Sequence, residues 1–224
     1  MSSPVISLEK VCKAFGNKTI YKDVSLQIEP GTTVGFVGEN GSGKSVLFQL
    51  LTGLMPCDSG SVTVNGERLG DQVDFPSNVG ILINDPGYIE YASGYRNLKL
   101  LADINNTIGD KEIKDAMRKV ALDPEDKTQV KKYSMGMKQK LGIAQAIMEG
   151  QTIIILDEPY NALDYKTNRE ITALLEQLKE EGKTILLTSH QHEYLEKLCD
   201  CIYCLKDSQI VPFTEELRSK YFGE

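Results

Sequence analysis

The stretch with the clearest chemical meaning is GENGSGKS, from Gly38 to Ser45, which fits the pattern G-x-x-x-x-G-K-[ST] at every fixed position. Glycines let the backbone curl until successive N–H groups point inward, and such a nest binds anions. At this spacing Lys44 would neutralise the β- and γ-phosphates of a nucleotide, while the Ser45 hydroxyl would ligate Mg²⁺. The alternative, a glycine-rich turn without a ligand, does not account for the Lys-Ser pair. The loop residues of this predicted phosphate site are Gly38, Glu39, Asn40, Gly41, Ser42 and Gly43.

A pair of neighbouring carboxylates, Asp157 and Glu158, follows the apolar run from Ile153 to Leu156. Ligands of open α/β sheets bind at the carboxyl ends of strands, so both acids are expected beside the phosphate site. Because adjacent side chains point in different directions, Asp157 would hold Mg²⁺ and Glu158 would orient or deprotonate the attacking water. Solvated acids at a loop entry are the common alternative, which the phosphate loop in the same chain disfavours.

A third pattern runs from Tyr133 to Gln139 and precedes a predicted helix that reaches about Met148. Ser134 is a natural N-cap, and Gly136 would let a phosphate approach the free N–H groups of the first turn. Many capped helices bind nothing, so the local pattern leaves open whether this is a ligand site.

Strands and helices alternate around the first two motifs as a parallel sheet requires. The largely apolar run from Thr32 to Val37 predicts a strand that enters the phosphate loop, and a helix from Gly43 to about Thr52 follows it. Continuous apolar runs over 153–156 and 184–188 predict two further strands covered on both faces. Between these two, apolar residues from Ile171 to Leu178 predict a helix, which Gly182 would cap.

The remaining segments predict two additions to this core. Val24, Leu26 and Ile28 alternate with polar residues, and Asn65-Gly66 is a hairpin signal, so an antiparallel β-subdomain is expected. Helical spacing in the middle of the chain predicts an inserted helical subdomain. The fold class is therefore α/β, a P-loop NTPase core with both additions. The expected bounds of this single domain (1–224) are about 1–84 and 149–224 for the RecA-like core and β-subdomain, and about 85–148 for the helical subdomain.

Charge and composition exclude several classes. The net charge is −7, so the chain is a poor candidate for gripping nucleic acid. It has no apolar run of roughly 18–20 residues, and the segment from Met1 to Lys10 lacks the features of a signal peptide, so a cytoplasmic location is expected. Five cysteines argue against a disulfide framework. The cysteines near the predicted strand from Cys201 to Leu205 are interpreted as core residues rather than metal ligands. Residues 212–224 are predicted to form a short terminal helix.

Over nearly its full length the chain resembles the nucleotide-binding subunit of an ATP-binding cassette (ABC) transporter. Tyr133 to Met137 resembles the family's LSGGQ signature, and Asn161 to Asp164 resembles its D-loop. His190 resembles the switch histidine, and Phe15 stands where the family stacks an aromatic ring on adenine. The signature departs from the family pattern at Tyr133, Met135 and Met137.

The resemblance implies that the nucleotide is ATP and that two subunits face head to tail, each signature contacting the ATP of the partner. It adds one catalytic residue, His190, which would contact the γ-phosphate. Asn84 falls where the family has its Q-loop glutamine and would reach Mg²⁺ or water, although a plain loop asparagine remains the alternative. The nucleotide-contacting residues that it adds are Phe15, Ser134, Met135, Gly136 and Asp164.

The expected function is ATP hydrolysis that drives a membrane permease, which the segment 85–97 would contact. Within the family the chain resembles bacterial exporters of drugs or peptide antibiotics. The resemblance implies a second nucleotide-binding subunit, which could be a second copy of this chain in a homodimer. It also implies that the permease attaches the chain to the inner face of the cell membrane. The alternatives are a non-transport ABC ATPase of DNA repair or translation and a nucleotide-dependent regulator with little hydrolysis.

Overall fold

A computed structural model describes residues 3–84, 86–161 and 163–222. Asp85 and Ala162, which belong to predicted motifs, lie outside the described residues, as do the first two and last two positions. The strands are β1 (Ile6–Phe15), β2 (Lys18–Ile28), β3 (Thr33–Val37), β4 (Ser59–Val64), β5 (Glu67–Arg68), β6 (Val79–Leu82), β7 (Ile153–Leu156), β8 (Thr184–Thr188), β9 (Cys201–Lys206) and β10 (Gln209–Pro212). The helices are α1 (Lys44–Leu51), α2 (Gly94–Asn105), α3 (Asp110–Lys119), α4 (Met135–Ile147), α5 (Tyr165–Glu180), α6 (His192–Leu198) and α7 (Glu215–Phe222), with a 3₁₀ turn at Val130–Lys132.

The first sheet is antiparallel, with the strand order β2-β1-β4-β5. In β2 the predicted alternation is confirmed, because Val24, Leu26 and Ile28 are buried and the residues between them are exposed. The hairpin between β4 and β5 turns at Asn65 and Gly66, whose φ angles of 52° and 78° fit a type I′ turn.

The second sheet has the order β10-β9-β3-β8-β7-β6, in which all pairs except β10 with β9 are parallel. The strands β3, β7 and β8 are buried along their whole length, as their apolar sequences predicted. Burying one such aliphatic side chain contributes about 1.5–3 kcal/mol. Because these parallel strands end at one edge, the loops that follow β3, β7 and β8 converge there.

The chain between β6 and β7 contains α2, α3 and α4, as the fold class requires. Ile113 and Met117 of α3 are fully buried, which confirms their helical spacing. Helix α4 packs closely on β6: a Cβ at Gly80 would lie 1.7 Å from the carbonyl oxygen of Ala146. None of the described helices is long and apolar enough to cross a bilayer.

Two local predictions need correction. Cys204 is buried, but Cys201 is exposed and Cys199 is half-buried, so the cysteines do not all pack in the core. The terminal helix begins only at Glu215, because Pro212 belongs to β10, which pairs with β9.

Candidate functional site

The phosphate loop connects β3 to α1 through a backbone that requires glycine. Gly38, Gly41 and Gly43 have φ angles of 155°, 78° and 112°. A Cβ at Gly43 would lie 2.6 Å from the Cγ2 of Ile20 and 2.9 Å from the hydroxyl of Tyr21. The loop can therefore take this path only with glycine at its end, directly before the first turn of α1.

A buried tyrosine holds the end of this loop. The Tyr21 hydroxyl donates a 2.7 Å hydrogen bond to the carbonyl oxygen of Gly43. Burial raises the pKa of Tyr21, so the hydroxyl keeps the proton that it donates. The contact fixes the peptide that leads into Lys44.

Two ammonium groups lie on the loop. Lys44 Nζ donates to the carbonyl oxygen of Gly38 at 2.8 Å, and Lys18 Nζ donates to that of Gly41 at 3.3 Å. Within the described part of the chain, the buried hydroxyl of Ser42 has no hydrogen-bond partner. The loop thus carries the positive charge that favours an anion.

Hydrogen bonds join the loop to the acidic pair. Asp157 accepts through Oδ2 from the hydroxyl of Ser45 at 2.6 Å and through Oδ1 from the hydroxyl of Thr188 at 2.7 Å. The backbone N–H of Glu158 donates to the same Thr188 oxygen at 2.8 Å. The predicted phosphate and acidic residues therefore form one connected group.

Glu158 lies in an environment that suits a base. Its Oε2 accepts from the backbone N–H of His190 at 3.2 Å, and the His190 Nε2 lies 3.2 Å from its Oε1. Burial raises the pKa of this carboxyl, while the His190 and Lys44 charges act in the opposite direction. The contact between Oε1 and the His190 imidazole is an ion pair when the imidazole is protonated. A carboxylate with a raised pKa can take a proton from water.

These groups surround a cleft of about 610 Å³. Most of the predicted site residues line this cleft. Phe15, which is 47% exposed, lies at one side of it. The predicted residues that line the cleft are Phe15, Asn40, Gly41, Gly43, Lys44, Ser45, Asn84, Met135, Asp157, Glu158 and His190.

Other predicted residues lie outside the cleft lining. Ser134 caps α4, accepting from the backbone N–H of Met137 at 3.2 Å, as its position predicted. Asp164 caps α5 in the same way through the backbone N–H of Thr167 at 2.9 Å, and hydrogen bonds from Thr167 lower its pKa. A Cβ at Gly136 would lie 3.1 Å from the Thr167 side chain, so the signature packs against the first turn of α5, which follows the D-loop. Gly38 forms the start of the loop, while Glu39 and Ser42 line a smaller cavity behind it.

Three polar residues of the site are not predicted by the sequence motifs. Thr188 lies between the two acids, Lys18 lies on the phosphate loop, and Gln139 donates through Nε2 to the Glu158 carbonyl oxygen at 3.4 Å. Of these three, Thr188 has a signal in the sequence, because it is a polar residue at the end of the apolar strand β8. A prediction that β8 pairs with β7 would have placed it beside Asp157.

Comparisons with known proteins agree with this geometry. A family model described as ABC transporter matches residues 21–161. An uncharacterized ABC transporter ATP-binding protein of Bacillus subtilis (strain 168), YybJ, is 38% identical over 88% of this chain and 90% of its own length. The lantibiotic transport ATP-binding protein SrtF of Streptococcus pyogenes is 33% identical over 92% and 89%.

Among solved structures, a dimeric bacterial ABC transporter cassette is similar, with a TM-score of 0.81 and 26% identity over 92% of this chain and 96% of the other. The antiparallel sheet, the parallel core and the helices between β6 and β7 are thus the architecture of an ABC cassette. The chain belongs to the ABC transporter family, as an ATP-binding subunit that hydrolyses ATP to power transport.

Proposed function

We propose that the cleft binds ATP together with Mg²⁺, that Glu158 activates the attacking water, and that two copies of the chain power a membrane permease. The observation that carries the catalytic part is the hydrogen-bonded connection of Ser45, Asp157 and Glu158 beside Lys44. This connection supports a single site that binds the phosphates and the metal ion beside the base.

The nucleotide would lie along the loop. The backbone N–H groups of residues 38–43 and the Lys44 ammonium would hold the phosphates, and the start of α1 adds a positive dipole end. Lys44 now donates to two carbonyl oxygens of its own loop, Gly38 and Glu39, and a phosphate would replace these partners. The exposed ring of Phe15 would stack on the adenine.

The oxygen donors of the cleft fit Mg²⁺. Hydroxyl, carboxylate and amide oxygens are its usual ligands, and Ser45 and Asp157 already lie within hydrogen-bond distance of each other. Ser45 and Asp157 would hold the ion, with Asn84 of the same cleft reaching it directly or through water. When bound, Mg²⁺ supplies positive charge to the β- and γ-phosphate oxygens.

The reaction needs a base and a group that stabilises the phosphate. Glu158 would accept a proton from water as the water oxygen bonds to the γ-phosphorus and the bond to the β–γ bridging oxygen breaks, which gives ADP and phosphate. Lys44 would stabilise the charge on the leaving oxygen. His190, held beside Glu158, would contact the γ-phosphate and orient the water.

A second copy would complete the site. Ser134 and Gly136 lie outside the cleft of their own chain, and the Met135 side chain is 60% exposed. In a head-to-tail homodimer Ser134 and Gly136 would contact the γ-phosphate of the partner's ATP, with Asp164 of the neighbouring D-loop. The dimeric state of a similar solved cassette supports this arrangement.

The permease would dock on the helical lobe, at the inner face of the cell membrane. The segment 86–97 carries exposed Ile89 and Tyr91, which suit burial against another protein. Asp85, the first residue of the expected contact, lies outside the described residues. The lantibiotic transport relative supports export of antimicrobial peptides or drugs as the transported class.

Affinity purification from bacterial membranes tests the transport assignment. We expect a membrane permease to co-purify, and its reconstitution with the chain to give ATPase activity that candidate antimicrobial peptides stimulate. Association with ribosomes or DNA instead of a permease would favour the non-transport alternative. Mg²⁺-dependent turnover by the purified chain separates an ATPase from a nucleotide-dependent regulator.

A further inference from the structure

We propose that Thr188 is a positioning residue of the ATPase site, which acts by fixing Asp157 and Glu158 together through one buried hydroxyl. The inference rests on the proposed function, because it assigns to these two acids the metal and base roles given above.

The sheet places Thr188 between the acids. Strands β7 and β8 are parallel neighbours with Leu156 paired to Leu187, so the next residues, Asp157 and Thr188, lie side by side. Thr188 is fully buried at the end of β8. Its hydroxyl is 2.7 Å from Asp157 Oδ1 and 2.8 Å from the nitrogen of Glu158.

The chemistry of the three groups sets the direction of both hydrogen bonds. A backbone N–H can only donate, so Thr188 must accept from Glu158. The hydroxyl proton is then directed to Asp157, whose ionised carboxylate can only accept. With Ser45 donating to the other oxygen, the Asp157 carboxylate is held at both ends and cannot rotate without losing a hydrogen bond.

Glu158 needs this support because of its backbone. Its φ angle of 52° lies in the left-handed region that residues other than glycine rarely adopt. Such a conformation persists where surrounding contacts hold it, and the bond from its N–H to Thr188 is one such contact. The same conformation directs the Glu158 side chain towards His190, with which it makes two contacts.

Thr188→Val tests the role, because it keeps the side-chain shape and removes the hydroxyl. We expect kcat to fall about 10- to 100-fold, the usual range for groups that orient metal ligands. The Mg²⁺ concentration for half-maximal activity should rise, while Mg²⁺-free ATP binding by the folded variant should change less than about twofold, since the loop and Phe15 are untouched. Thr188→Ser should recover most of the lost activity.

Thr184→Val is the matched control. Thr184 lies at the other end of β8, is buried, and accepts through its hydroxyl from the N–H of Gly31 at 2.9 Å. This variant also loses a buried hydrogen bond of the same strand, yet it should keep wild-type kcat and Mg²⁺ dependence. Thr188→Ala is measured in the same way if the valine variant does not fold.

Glu158→Gln is measured in parallel and should be inactive. If it is inactive, any of three results would overturn the inference. These are a wild-type kcat in Thr188→Val, an equal loss of kcat in Thr184→Val, or failure of Thr188→Ser to recover activity. Full turnover by Glu158→Gln would instead contradict the proposed function, and the inference with it. Loss in Thr188→Val, recovery in Thr188→Ser and normal turnover in Thr184→Val support the positioning role.

Discussion

The Ser45 hydroxyl donates a 2.6 Å hydrogen bond to Asp157 Oδ2, although the two residues are 112 positions apart in the chain. The contact joins the first turn of α1 to the residue that follows β7, at the edge of the parallel sheet where β3, β8 and β7 end. Since Glu158 follows Asp157 directly, the same contact sets the distance between the phosphate loop and the proposed base.

Lys44→Ala should weaken ATP binding. A charge-assisted hydrogen bond contributes about 1.5–3 kcal/mol, so the Kd should rise about 10- to 100-fold. Isothermal titration calorimetry with purified protein measures it. Lys197→Ala, which removes an exposed lysine paired with Glu176 outside the cleft, should leave the Kd unchanged. Equal affinities in all three proteins would exclude Lys44 from phosphate binding.

Tyr21→Phe should loosen the phosphate loop without changing its sequence. The substitution keeps the buried ring but removes the 2.7 Å hydrogen bond to Gly43, whose carbonyl oxygen then accepts only from the N–H of Leu47 at 2.8 Å. We expect a loss of about 0.5–1.5 kcal/mol in the free energy of unfolding, the usual net contribution of one hydrogen bond, and a weaker affinity for ATP. Urea unfolding and nucleotide titration measure the two effects. A variant with unchanged stability would show that the hydroxyl does not support the loop.

The pH dependence of turnover should reflect the carboxyl of Glu158. Burial raises its pKa above the ordinary value of 4.5, and a base works only when deprotonated. The value of kcat/KM should therefore fall as the pH drops through this raised pKa, with the midpoint of the acid limb above 4.5. A pH profile of kcat/KM for ATP measures the midpoint, because kcat/KM reports the pKa of the free enzyme. Full activity down to pH 4.5 would contradict the assignment.

Glu158→Gln should make the folded chain more stable at neutral pH. A carboxyl whose pKa is raised by folding favours the fold below its unfolded pKa and loses that contribution as the pH rises through the folded pKa. The glutamine variant should therefore have a higher Tm than wild type at pH 7.5, and the difference should shrink towards pH 4.5. Glu180→Gln, at an exposed position of α5, serves as the control. A lower Tm for Glu158→Gln at pH 7.5 would mean that the carboxylate stabilises the fold.

Much of the fold followed from local sequence. The apolar runs of β3, β7 and β8 and the Asn65-Gly66 turn depend on short-range patterns, and the structure confirms them. Strand β6 gave no comparable signal, because it has four residues and includes Gly80, which is needed for close contact with α4. Cys201 is exposed at the start of β9, before residues 203–206 that pair with β10, and the sequence of that strand does not specify where this pairing begins.

Part of the candidate site could be predicted from the sequence, and part depends on how distant segments pack. Lys44, Ser45, Asp157 and Glu158 could be selected because their residue types stand at spacings that phosphate chemistry requires. Thr188 could not, since its role depends on the register of β8 against β7. The contact between Gly136 of the signature and Thr167 of α5 likewise joins segments that are distant in the sequence, so local patterns do not predict it.

Phosphate release from ATP by wild-type protein and by Glu158→Gln, with Mg²⁺ at saturating ATP, tests the central claim most directly. Removal of a general base costs about 10²- to 10⁴-fold in rate, so we expect Mg²⁺-dependent turnover in the wild type and a loss of this size in the variant. The variant should still bind ATP and should accumulate as a dimer in its presence, which size-exclusion chromatography detects. Turnover by Glu158→Gln at the wild-type rate would contradict the account.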